Sequence, residues 1–174
     1  RESKIYNVMG DIYQRKGDQT KAISAFLVNA RLDEQLGDAR SLAIVSNRLG
    51  TYYRKLHNPQ EALNWFEKQL EQAISLPDLE LQRRAWNGIS LAHQDLGNYD
   101  QTLYSLKREI KLASDFRDLS AWTLALSRQG FLYLKNNHHS EAVLSLKQAI
   151  NLSKAIGKQA QFYSQLGKIR MILN

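Results

Sequence analysis

The sequence predicts an all-α solenoid of stacked helix-turn-helix units, and three observations predict it. Residues recur at a step of 40: Gly10, Gly50, Ser90 and Gly130 keep it, and three positions on so do Tyr13, Tyr53, His93 and Tyr133. Ala22, Ala62, Thr102 and Ala142 share the step, as do Phe26, Phe66, Leu106 and Leu146. A fixed period of about 20–50 residues marks repeated supersecondary units that bury their apolar faces only by stacking. Within each unit the apolar residues fall at helical spacing, and the residues that start and stop helices return at one phase.

The elements follow in order. Unit one has a first helix, A, over 3–16 and a second, B, over 19–36. In unit two, helix A spans 39–55 on Leu42, Val45, Leu49 and Tyr52 or Tyr53, and helix B spans 59–75 on Ala62, Leu63, Phe66, Leu70 and Ala73. These are i, i+3, i+4 stripes. Units three and four repeat the pair at 79–95 and 99–115, then 119–135 and 139–156. The B helices start after Asp18, Asn58, Asn98 and His138. Asp and Asn cap helices because a side-chain oxygen accepts from a free backbone N–H. Asn58-Pro59-Gln60-Glu61 adds Pro at the first helical position and Glu at the third. Gly17, His57, Gly97 and Asn137 precede these caps, where a left-handed residue is expected. Asp38, Asp78 and Asp118 cap the later A helices, and Gly157-Lys158 breaks that series. A ninth helix over 159–173 is expected to close the array with Phe162, Leu166, Ile169 and Leu173. The domain reading is therefore one array over 1–174, with repeats at 3–38, 39–78, 79–118 and 119–158.

Composition narrows the class. With 43% hydrophobic and 24% charged residues the chain reads as folded and soluble. It holds no apolar run of membrane-spanning length and no visible signal peptide. Cysteine is absent, which removes disulfides and thiolate metal sites and fits a cytoplasmic protein. The start at Arg1 reads as a piece of something longer. Residues 1–87 hold 13 Lys and Arg against 11 Asp and Glu, a balance of +2; residues 88–174 hold 11 against 6, a balance of +5. A basic balance favours acidic partners without choosing among acidic peptides, nucleic acids and anionic surfaces.

The residues match a known pattern. Gly10-x-x-Tyr13, Gly17 and Ala22-x-x-x-Phe26 resemble the tetratricopeptide repeat, and Leu49-Gly50-x-x-Tyr53 with Ala62-x-x-x-Phe66 repeats it. Trp86 and Tyr6 stand at the repeat's usual aromatic position. The resemblance covers essentially the whole chain. The step of 40 exceeds the common length, and this long variant is similar to the repeats of Pins-type adaptors, rapsyn and bacterial repeat proteins. The resemblance implies a right-handed superhelix whose concave groove, lined by A helices, holds a peptide or helix of a partner protein. HEAT repeats share the period but lack the Gly-x-x-Tyr and Ala-x-x-x-Phe signature.

The groove side of the A helices supplies the candidate binding residues. Asn7, Asn47 and Asn87 recur at one phase, with Ser127 in the fourth copy. Two readings of this ladder stand: amides that bond the backbone of an extended peptide, or amides that fix neighbouring helices. Lys4, Arg48, Arg84 and Arg128 share the face, and Arg54, Lys55 and Lys135 lie near its C-terminal end. Guanidinium groups hold carboxylates with paired bonds, although singly each is an ordinary solvated cation. The A helices carry few acids, Asp11, Glu80 and Asp95. Leu91, Phe131 and Leu134 add an apolar half that suits an amphipathic helix, or are ordinary core. The lysine–asparagine carboxylate clamp of chaperone-binding relatives is similar in chemistry, but its spacing is not reproduced.

Chemistry signals are weak. The adjacent His138 and His139 do not share a helix face as a zinc pair would, and His57 and His93 sit at repeat positions. Asn151-Leu152-Ser153 is a glycosylation sequon by form, placed inside a helix. No phosphate loop, nucleophile elbow or dinucleotide fingerprint occurs, and no cofactor or metal is expected. The expected function is a non-catalytic adaptor or scaffold whose partner is an acidic or amphipathic segment of another protein. Alternatives are nucleic-acid (RNA) binding through the basic C-terminal half and a sensor domain controlling a fused effector. Self-association through an apolar array end is a further expectation.

Overall fold

A computed structural model describes residues 2–155. The described residues are helical throughout apart from short turns, in the order α1 (Glu2–Arg15), α2 (Gln19–Leu36), α3 (Ala39–Lys55), α4 (Pro59–Ser75), α5 (Leu79–Asp95), α6 (Tyr99–Asp115), α7 (Leu119–Lys135) and α8 (His139–Ala155). The odd-numbered helices are the A helices of the repeat and the even-numbered are the B helices. The closing helix expected over 159–173 lies outside the described residues. The chain divides into two compact units, Arg1–Asn98 and Tyr99–Asn174.

The caps explain why the helix ends were readable. Asp18 accepts from the Lys21 N–H at 3.1 Å, Asp38 from Ser41 at 3.0 Å, Asn58 from Glu61 at 3.2 Å, Asp78 from Leu81 at 2.9 Å and Asp118 from Ala121 at 3.0 Å. These bonds to backbone N–H groups hold the Asp38 and Asp78 carboxyls below the ordinary carboxylate range. His138 holds its turn by ring packing: it stacks on Tyr99 at 5.8 Å between centroids and meets the Tyr133 edge at 6.2 Å.

Ahead of the caps the chain turns through positive φ, at Gly17 (77°) and Gly37 (67°), but also at His57 (56°), Arg117 (54°) and Asn137 (62°). A side chain in this region costs about 1–2 kcal/mol, because Cβ crowds the following carbonyl. Arg117 is exposed. Arg117→Gly is therefore expected to raise the unfolding free energy by about 1 kcal/mol, after the loss of some unfolded-state stiffness. A rightward shift of the urea midpoint at unchanged slope would show it.

In the first unit, Ala22, Phe26 and Ala30 of α2 pack against Leu42, Val45, Leu49 and Tyr52 of α3. Ala62, Leu63 and Phe66 of α4 pack against Ile89 and Ala92 of α5. Phe66 decides how close the helices come. A Cβ on Gly50 would lie 2.6 Å from its ring, and one on Gly88 would also collide with it. Phe66 is thus held between the A helix of its own repeat and that of the next. In the second unit the same device joins α7 to α8, where a Cβ on Gly130 would lie 2.5 Å from Leu146.

Candidate partner-binding surface

In the first unit the A helices are neighbours, and side chains tie them. Arg48 of α3 forms an ion pair with Asp11 of α1, and its guanidinium lies 5.2 Å from the centre of the Phe26 ring. Arg54 of α3 donates from Nε to the Asp95 carboxylate of α5 at 2.5 Å. Asn47 donates from Nδ2 to Gln69 Oε1 at 3.0 Å. The buried Gln69 in turn donates from Nε2 to the Leu81 carbonyl at 3.4 Å. Asn47 thereby begins a relay that links α3, α4 and α5.

The ladder does not behave uniformly. Asn7 lines a small cavity with Asn29, Asp33, Ser41 and Ile44. The half-buried Asn87 accepts from the Ser90 hydroxyl at its carbonyl, at 2.8 Å. In the second unit, Ser127 turns its hydroxyl back onto the Thr123 carbonyl at 2.9 Å.

The cations differ as much. Arg84 is 60% exposed and donates to Glu80 at 2.8 Å. Glu80 also takes two bonds from Arg83, and these donors, Arg83 first, hold its carboxyl below the usual range. In the second unit Arg128 is largely buried and its Nη1 lies 3.2 Å from the Glu109 carboxylate, which is 1% exposed. There Phe131 is exposed and Leu134 half-buried; Leu91 in the first unit is half-buried. Lys55 sits over the Tyr52 ring at 5.9 Å, and with Arg54, His57, Pro59 and Asp95 it lines a cleft of about 440 Å³.

In the first unit this face is therefore marked by guanidinium–carboxylate pairs and is not a bare cationic strip. Exposed pairs such as Arg84–Glu80 contribute about 0–1 kcal/mol, so an incoming carboxylate can exchange with the resident one. Sequence reasoning passed over Ile44, which is 44% exposed on α3. Its phase, shared with Lys4, Arg84 and Leu124, was the available signal. Among the described residues no cluster of three or more His, Cys, Asp or Glu could hold a metal ion. Burial lowers the His93 pKa, favouring the neutral ring. No helix among the described residues is long and apolar enough to cross a membrane.

Comparison with known proteins bears on this arrangement. The tetratricopeptide repeat family model matches residues 1–75 and 41–115. No curated protein sequence matches. Among solved structures, BtubC (BKLC) from P. vanneervenii superposes with a TM-score of 0.81 at 15% identity, over 89% of this chain and 64% of that one. Aspartyl phosphate phosphatase F from Bacillus subtilis gives 0.83 at 14% identity, over 97% and 44%. The MamA protein gives 0.72 at 18% identity, over 97% and 90%. The chain thus spans less than two thirds of the first two, and at these identities the likeness is one of fold.

Proposed function

The chain belongs to the tetratricopeptide repeat family, and from that premise we propose that it is a non-catalytic adaptor module that holds an acidic or amphipathic segment of a partner protein against its A helices. The observation that carries this reading is the pairing, in the first unit, of exposed apolar and exposed guanidinium groups at one repeat phase, Ile44 and Arg84. An amphipathic segment meets both demands: its apolar side covers Ile44 and Leu91 while its carboxylates take over Arg84 from Glu80. Asn7 and Asn87, at one repeat phase, belong to the same face. Asn47 and Arg48 act from beneath, by tying together the helices that present this face, and within the second unit Arg128 ties α7 to α6. Phe131 is the apolar contact of the second unit.

The test is affinity capture from native lysate with the wild-type chain beside Ile44→Glu/Arg84→Glu. Both positions are exposed and neither belongs to the Asn47–Gln69 relay, so the variant is expected to keep the wild-type thermal unfolding. A partner whose affinity falls at least about tenfold, roughly 1.4 kcal/mol, supports the proposal. Unchanged captures reject it. Recovery of nucleic acid that survives physiological salt assigns function to the basic C-terminal half.

A further inference from the structure

The buried carboxylates of the described residues are Asp33 and Glu109. They are treated differently. Glu109 has Arg128 as its cation. Asp33 is 1% exposed, and no cation pairs with it among the described residues. Its bonds are to neutral groups: Oδ2 accepts from Asn29 Nδ2 at 2.7 Å, and Oδ1 accepts from the Ser3 hydroxyl. Withdrawing a carboxylate from water without a counter-charge is costly, and burial accordingly pushes the Asp33 carboxyl above its ordinary range.

Packing does not demand this carboxylate. Its repeat equivalents are Ala73, Ala113 and Ser153, all buried, so the position is filled elsewhere by small side chains. In repeat one, Asp33 lies against a cavity. It has a volume of about 90 Å³ and is walled by Ser3, Asn7, Asn29, Ser41 and Ile44. A water's share of liquid volume is about 30 Å³, so the space suits an ammonium head with its last methylenes. An ammonium directs three donors from one point onto separate walls, whereas a guanidinium spreads five in a flat fork suited to a single facing carboxylate.

Charge favours the same occupant. Lys4 also borders the cavity. Asp38 nearby is held low first by the Ser41 N–H and hydroxyl and then, more weakly, by the Lys4 charge. Asp33 on the cavity wall and Asp38 close to it outnumber the one lysine on that wall, a local balance of one negative charge with both acids ionised.

We infer that this cavity is a lysine-anchoring pocket: the ammonium of a lysine on the bound segment enters between α1, α2 and α3 and becomes the missing counter-ion of Asp33. Its three N–H donors find acceptors in the Asp33 carboxylate, the Asn7 side-chain carbonyl and the Ser41 hydroxyl. The methylene stem lies along Ile44, charged end inward. The inference deepens the adaptor reading and rests on it: the segment carries a lysine at its repeat-one end and carboxylates toward Arg84.

The test uses small probes and no partner. The full chain, labelled with ¹³C and ¹⁵N, is titrated with acetyl-Ala-Lys-Ala-amide, with its ε-acetylated form and with the arginine analogue. The expected result is a saturable shift of the Asp33 carboxyl carbon and of the Asn7 and Asn29 amides, at about millimolar probe, for the lysine peptide alone. Asp33→Asn, which keeps the shape and the bond accepted from Asn29 and can donate to the Ser3 hydroxyl where the carboxylate accepted, is expected to weaken it at least about tenfold, and Asn7→Ala to weaken it several-fold. No shift, an equal shift with the ε-acetylated or arginine peptide, or undiminished binding by a folded Asp33→Asn would each overturn the inference. A positive titration with no effect of Ile44→Glu/Arg84→Glu on partner capture would leave the pocket standing and remove the adaptor face.

Discussion

Phe66→Ala lowers the unfolding free energy by about 3–5 kcal/mol, the range for removing a buried aromatic ring from a core that cannot collapse around the space. Phe66 is 3% exposed. It is fixed on one side by Gly50 and on the other by Gly88, with Ala62, Leu63, Ile89 and Ala92 around it. Helices that have approached this closely cannot close further, so most of the ring's volume stays empty. Phe66→Leu, the residue found at the equivalent positions 106 and 146, is expected to cost less than about 1.5 kcal/mol. Urea unfolding followed by circular dichroism measures both. A loss under about 1 kcal/mol for the alanine variant would mean that the ring is not the keystone of repeats two and three.

Arg128→Met is the second large effect, a loss of about 3–5 kcal/mol, because it removes the cation 3.2 Å from the buried Glu109 carboxylate of the second unit. The sequence presents Arg128 as a groove cation; in the structure its guanidinium faces inward and neutralises an acid on α6. The two roles separate in a double-mutant cycle. Glu109→Gln/Arg128→Met removes both charges and is expected to regain most of the stability lost by Arg128→Met alone. If Arg128→Met were as stable as wild type, the pair would not hold α6 to α7, and Arg128 would be available for a ligand.

These cases show which parts of the molecule a sequence can disclose. Helix ends were legible because a cap is a local bargain: Asp38 and Ser41, or Asp78 and Leu81, are three residues apart. The glycines of the 40-residue step were legible as contacts, since Gly50 always faces the Phe66 position. Gly88 was not, because it lies two residues off that phase and its partner belongs to the preceding repeat. The three acids noted on the A helices, Asp11, Glu80 and Asp95, proved to be the partners of Arg48, Arg84 and Arg54. Only Glu80 is near its arginine in sequence. The others are 37 and 41 residues away, beyond any helical spacing rule. The asparagine ladder was ambiguous for the same reason: phase says which way Asn47 points, while its partner Gln69 is chosen by how α4 packs. Asp33 escaped notice because its equivalents are small residues with no charge to mark the position.

The account's central claim is that the A-helix face of the first unit receives the partner. Site-specific photocrosslinking tests it most directly, with benzoylphenylalanine in place of Ile44 on that face, or in place of Asn64, exposed on α4. The account predicts that a captured partner crosslinks from position 44 and not from position 64. Crosslinking from position 64 with none from position 44 would contradict it and place recognition on the B helices.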